Sequence, residues 1–400
     1  MLTSNKKKNF ISDTSSTPKN NTLSDFFESV KPELVSLAVG LFLLAGYFLV
    51  RSDKSLANFF INHITTPYKR MMGWLCDLVP FSMMEVIIVF LILLALFVLI
   101  RGVFLAVMRP KKAARIGKTI GFFLVAALLI WDGYNWFWGI NYYGDSFSDL
   151  SGLSAQPISV EDLTQTTEYY ANELNCLADK VSRDENGCFN ENMDEFFSQS
   201  DNIYAGLIEE YSFLDIPHRT PKRMIFSELM SRINFTGVYF PFTSETNLND
   251  HAPASLMPST IAHELAHQRG IAAEQEANFV AVRACMTSGI DTYAYSGALL
   301  AYIHLGNALY DADRSAWESV YNSLDDNVIA DLNQNNAYWA EYKGSESKTA
   351  EKIYETFLGS YGQTMGMKSY GACVDLLTAD YLQRVNQQNS SLLSDADGIS

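Results

Sequence analysis

The chain has 400 residues, 48% of them hydrophobic, with a formal net charge of −16. That charge is divided unevenly: 15 Lys and Arg against 8 Asp and Glu in residues 1–140, a balance of +7, and −23 over the remainder. An acidic domain of that size lacks the basic footprint of a nucleic-acid binder, and the length allows two or three domains.

Residues 1–33 are polar, with Lys6, Lys7 and Lys8 among many Ser, Thr and Asn, and read as a disordered cytoplasmic tail. Three apolar runs follow in a membrane region over 34–140. Leu34–Val50 lies at the short end of a bilayer span, Val86–Ile100 continues past Arg101 to Val107, and Ile120–Ile130 runs on through Trp131, Trp136 and Trp138. Tryptophans gathered at one end are the mark of a membrane interface. These runs predict transmembrane helices at about 34–50, 84–107 and 117–138. The first begins some thirty residues in, later than a secretory leader. The link between the second and third runs holds Arg109, Lys111, Lys112, Arg115 and Lys118. The positive-inside rule keeps that link and the N-terminus in the cytoplasm and places 141–400 outside. The loop 51–81 would then also be outside, although it carries Arg51, Lys54, Lys69 and Arg70.

Residues 141–158, rich in Ser, Gly and Asp, read as a linker. Ser159 with Asp162 predicts a capping box, and a further helix is predicted over 191–211. "KRMIF" and "FTGVYFPF" read as strands, and "TSETNLNDHAPASLMP" as a loop. Helices are expected at 259–269, 272–288, 293–310, 313–340 with a break, 346–359 and 369–387. Of the external cysteines, Cys176 and Cys188 flank a polar turn, "DENG". They either pair, as an oxidising compartment allows, or stay as free thiols. No C-x-x-C spacing supports a cysteine zinc site.

The chemistry is concentrated in "PSTIAHELAHQRGIAAEQEANFVA", residues 258–281. With Ser259 as cap, a helix brings His263 and His267 onto one face, one turn apart. Two such imidazoles can hold one zinc ion at about 2.0–2.1 Å. Glu264 is then the carboxylate that takes a proton from water attacking a carbonyl. This is the logic of H-E-x-x-H peptidases. A third ligand is expected from Glu274 or Glu276. One straight helix would put Glu274 about 10.5 Å beyond His267, so the chain must bend, and Gly270 is the residue suited to it. Tyr302 or His304 can donate to an oxyanion, with core packing as the alternative. His251 reads as a solvated loop residue and Arg269 as the partner of a carboxylate. The "GVYFPF" strand is either core or an edge that binds an extended peptide.

"PFTSETNLN", "HELAHQRG" and "EQEANF" after three apolar runs resemble an uncharacterised bacterial membrane family, domain of unknown function 3810. The resemblance extends to the C-terminal "GQTMGMKSYG" and implies a zinc metallopeptidase with no agreed substrate. "HELAH" with "EQEAN" is similar to the gluzincin pattern. That likeness implies His263, His267 and Glu274 as ligands and Glu264 as base, and leaves Glu276 to cap the helix or hydrogen-bond a histidine. Asn278 stands where many such enzymes carry an Asp that supports a histidine.

The expected fold is mainly α with a small β-sheet: three transmembrane helices followed by a zincin-like α+β domain over 141–400. The expected function is that of a membrane-anchored, zinc-dependent metallopeptidase outside the cytoplasmic membrane, with the lipid bilayer and a surface or cell-wall peptide or protein as partners. The competing reading is a non-catalytic membrane sensor or scaffold with structural zinc. The substrate and the oligomeric state are not encoded in any motif.

Overall fold

The computed structural model describes residues 23–153, 158–362 and 370–397. The expected disorder of residues 1–22 and most of "GQTMGMKSYG" lie outside them. Helices dominate, accompanied by one three-stranded sheet. Three of the helices are long and apolar enough to cross a membrane: α1 (Leu23–Val50), α4 (Met83–Met108) and α5 (Lys112–Phe137). The chain divides into two compact units, Met1–Phe42 with Ile92–Leu129, and Leu43–Leu91 with Ile130–Ser400. In the first, α1 begins eleven residues before the run legible in sequence. Phe26 and Val30, one turn apart, close on Gly117 of α5, and that packing extends the helix into the polar tail.

The second unit holds the candidate site. The supposed loop 51–81 is folded into α2 (Lys54–Phe60), a π turn (Ile61–Thr65) and α3 (Thr66–Cys76). Asp53 caps α2 by accepting from the Leu56 amide. The supposed linker contains α6 (Phe147–Ser151), closed by a capping box between Ser146 and Asp149. At α7 (Val160–Ala178) the box between Ser159 and Asp162 is formed in both directions. The stretch 191–211 is two short helices, α8 (Met193–Gln199) and α9 (Ala205–Glu210).

Strand β1 (Lys222–Arg223) leads through α10 (Ser227–Arg232) to β2 (Gly237–Phe240) and β3 (Glu245–Leu248). Their order is β1-β3-β2, with β1 parallel and β2 antiparallel to β3. The central strand was missed in sequence because "ETNL" has no apolar alternation, although all four residues are buried. Tertiary partners satisfy its polar groups. Glu245 accepts from the Met83 and Met84 amides at the start of α4, both at 3.1 Å, and pairs with buried Lys222 at 2.6 Å. Lys222 also donates to the carbonyls of Cys76 and Phe81. From the other side, Glu85 of α4 accepts from the Ile225 and Phe226 amides. The sheet is thereby tied to the first turn of α4. Lys222→Met would leave Glu245 buried without its cation, which costs about 3–5 kcal/mol. Chemical denaturation of the detergent-solubilised protein checks this, and an unchanged midpoint would refute it.

Beyond the sheet come α11 (Met257–Gln268), α12 (Glu274–Thr287), α13 (Asp291–Ala312), α14 (Arg314–Tyr321), α15 (Asp326–Glu341), α16 (Ser345–Ser360) and α17 (Tyr370–Asp397). The main core joins α7, α11, α12, α13 and α17 through side chains such as Tyr170, Ile261, Phe279, Tyr293 and Leu377. All five cysteines are free, so Cys176 and Cys188 do not pair.

Candidate metal centre

Helix α11 starts two residues before the expected cap. A 3-10 turn (Ala254–Leu256) feeds directly into it and Pro258 occupies the first turn. Ser259 is therefore inside the helix, donating to the Leu256 carbonyl at 2.9 Å. The C-terminus is a Schellman motif. Gly270 takes φ +97°, its amide donates to His267, and the Ile271 amide donates to Ala266. Gly270→Ala would place a Cβ in the left-handed region at about 1–2 kcal/mol. Thermal unfolding followed alongside metal content tests it, and an Ala variant as stable as wild type would show that the bend is not under this constraint.

The bend turns the chain back so that α12 opens with Glu274 beside α11. Glu274 Oε2 lies 3.3 Å from His263 Nε2 and 3.6 Å from His267 Nε2, and the two Nε2 atoms are 3.1 Å apart. Tetrahedral zinc with bonds of about 2.0–2.1 Å needs ligand atoms about 3.3 Å apart, so the three residues fit one ion. His267 Nδ1 lies 2.7 Å from the Ile271 carbonyl. Donation there fixes the tautomer that frees Nε2 for a metal. Burial would lower the His267 pKa, but the Glu274 carboxylate and its hydrogen bond carry it up to about 9. Burial likewise acts to raise Glu274, and the two histidines outweigh it and hold it well below the usual carboxylate range.

Glu264 is buried beside His263, and its Oε2 has no hydrogen-bond partner among the described residues. Burial pushes its pKa up, against the pull of His263 and His267, while Glu274 adds to the rise and the Tyr239 amide opposes it. Strand β2 runs alongside: a Cβ on Gly237 would come within 2.8 Å of the Glu264 Cγ and Oε1, so glycine is what permits this approach. β2 is also the sheet edge. The Asn249 amide donates to the Thr236 carbonyl, which sets the antiparallel alternation. Gly237 and Tyr239 therefore turn their peptide groups away from β3. Edge and ligands open on one cavity of about 460 Å3, walled by aromatics that include Tyr134, Trp138, Tyr142, Phe235 and Phe357.

Other sequence candidates are placed differently. Glu276 accepts from the Phe147 and Ser148 amides at 2.9 and 3.0 Å, which turns its carboxylate to α6. Asn278, one turn after Glu274, lines the cavity. Tyr302 and His304 are not among its lining residues. Tyr302 packs against Gly306 in the core, and burial with the His263 charge pushes His304 down to about 4. A further phenol, on Tyr354 of α16, lines the cavity and donates to Glu274 Oε1 at 2.6 Å. It is eighty residues from Glu274, and no local pattern announces it. His251 is mostly exposed, 3.9 Å from Glu228.

No curated protein and no solved structure matches the chain. The family described as protein of unknown function (DUF3810) matches residues 58–378, a span that takes in α3, the sheet, the His263–His267–Glu274 cluster and Tyr354, and the chain belongs to that family.

Proposed function

We propose that this protein is a membrane-anchored, zinc-dependent hydrolase of zincin type, cleaving peptide bonds. The observation that carries the reading is the convergence of His263, His267 and Glu274 at ligand spacing, beside a buried Glu264 with one unpartnered oxygen. When bound, zinc supplies the Lewis acidity that acidifies water and polarises a carbonyl. His263, His267 and Glu274 hold it, the Ile271 carbonyl orients His267, and Tyr354 orients Glu274. Glu264 accepts the proton of the attacking water and returns it to the leaving amine. The outward peptide groups of Gly237 and the Tyr239 carbonyl offer an extended substrate main-chain hydrogen bonds by strand addition, the Tyr239 amide being engaged by Glu264. A purely structural zinc site would not require a free carboxylate at that position. Metal analysis of the purified full chain, paired with a peptide cleavage screen, tests the proposal. One zinc per chain with metal-dependent cleavage supports it, and a chain that binds no zinc defeats it.

The catalytic domain belongs outside the cytoplasmic membrane in this reading, on the strength of the basic link at Arg109–Lys118. Cysteine labelling in intact cells should find position 113 protected and position 345 accessible. Equal accessibility of both would reject the three-span topology.

A further inference from the structure

The segment between the first two apolar helices carries Lys69 and Arg70 on α3, cations that run against the charge bias expected of an outer loop. The fold gives them a shared location. With Arg219, Ser244, Gln268 and Arg269 they line a cavity of about 40 Å3. At about 10–15 Å3 for one water, that is room for a few waters or one compact polyatomic anion.

The lining is under-partnered. Lys69 is buried, and no carboxylate lies within 4 Å of it among the described residues. Its ammonium instead stands 5.7 Å from the Trp138 ring. Burial, with the Arg70 charge, brings its pKa down to about 8. Gln268 is 3% exposed, and both atoms of its amide lack a hydrogen-bond partner among the described residues. Arg269 lies over the Tyr204 ring at 3.6 Å and spends one nitrogen on the Leu265 carbonyl, while its Nε is unpartnered. The carboxylate expected for Arg269 is not in contact: Asp215 acts on it only at longer range. Asp77 is engaged at 3.6 Å by Arg219. Buried polar groups are almost always hydrogen-bonded, and here several orphaned donors converge beside uncompensated positive charge.

We propose that this cavity binds one phosphate-type oxyanion, held by Lys69, Arg269 and the Gln268 amide, with Arg70 and Arg219 at its rim. Guanidinium and ammonium groups together suit phosphate oxygens. Only six residues separate α3 from Met83, where the second apolar helix begins. That puts the cavity near a headgroup layer, where an anionic phospholipid supplies the group; free phosphate is the other source. The site is separate from the metal ligands but joined to them through α11, since Gln268 follows His267.

The full chain, purified in phosphate-free maltoside micelles, is titrated with inorganic phosphate and separately with phosphatidylglycerol, with thermal unfolding and calorimetry as readouts. Saturable stabilisation at one equivalent is expected from at least one probe. Lys69→Met or Gln268→Leu should weaken it by about tenfold or more, the scale of a lost hydrogen bond to a charged group. Exposed Lys54→Gln should not. If Lys69→Met fails to fold, Gln268→Leu carries the comparison. Saturation by phosphate assigns the free anion, and saturation by the lipid alone assigns a headgroup. No saturable effect from either probe, or undiminished binding in the variants, overturns the proposal.

Discussion

Glu264→Gln is expected to lower peptide hydrolysis by about two to four powers of ten, the usual contribution of a general base, while zinc content and fold stay as in wild type. The side chain is outside the His263–His267–Glu274 group and packs against β2 at Gly237. The glutamine has nearly the same shape, so it keeps that packing. It lacks only the basic oxygen, which in Glu264 is Oε2, buried and free. Burial raises the Glu264 pKa, which strengthens it as a proton acceptor, and a bound cation would act to keep it ionised. Full turnover in the Gln variant would reject the mechanism, and a loss of zinc together with activity would show that Glu264 serves the metal instead.

Glu274→Ala and Glu276→Ala should fail in opposite ways. In the proposed site Glu274 supplies one of three ligand atoms, and among the described residues its carboxylate contacts the two histidines and Tyr354. Its loss should cost zinc affinity by well over the roughly 10–100-fold seen for outer-shell changes. Glu276 instead satisfies two amides at the start of α6. Its removal leaves those buried donors open, a cost of about 1–3 kcal/mol in stability, with zinc retained. Competition titration against a zinc chelator and denaturant unfolding separate the two outcomes. Equal loss of zinc in both variants, or greater loss in Glu276→Ala, would mean the register at α12 is misassigned.

The parts of the molecule that were legible in advance share a physical basis. Apolar length marks a helix that can cross a membrane, and α1, α4 and α5 were found within a few residues except where α1 runs back to Leu23. Helical period puts His263 and His267 on one face whatever surrounds them. Gly270 is the only residue between His267 and Glu274 free of a Cβ penalty, and the chain turns there. Ser159 and Asp162 cap α7 because both partners lie within one turn. Each of these signals is local.

What the tertiary structure decided is non-local in every case. Strand β3 is polar, and only Lys222 and the start of α4 make its burial tolerable. Ser259 lost its capping role to a turn whose course depends on the loop before it. Tyr354 reaches Glu274 because α16 packs there, eighty residues along the chain from it. Lys69 and Gln268, two hundred residues apart in sequence, share a cavity for the same reason. The sequence by itself determined the membrane helices, the pair of histidines and the bend after them, since covalent geometry and solvent preference act over a single turn. The Tyr354 contact, the aromatic walls of the site and the tie between sheet and α4 came only with the fold, because charge pairing and burial join residues that are neighbours in space alone.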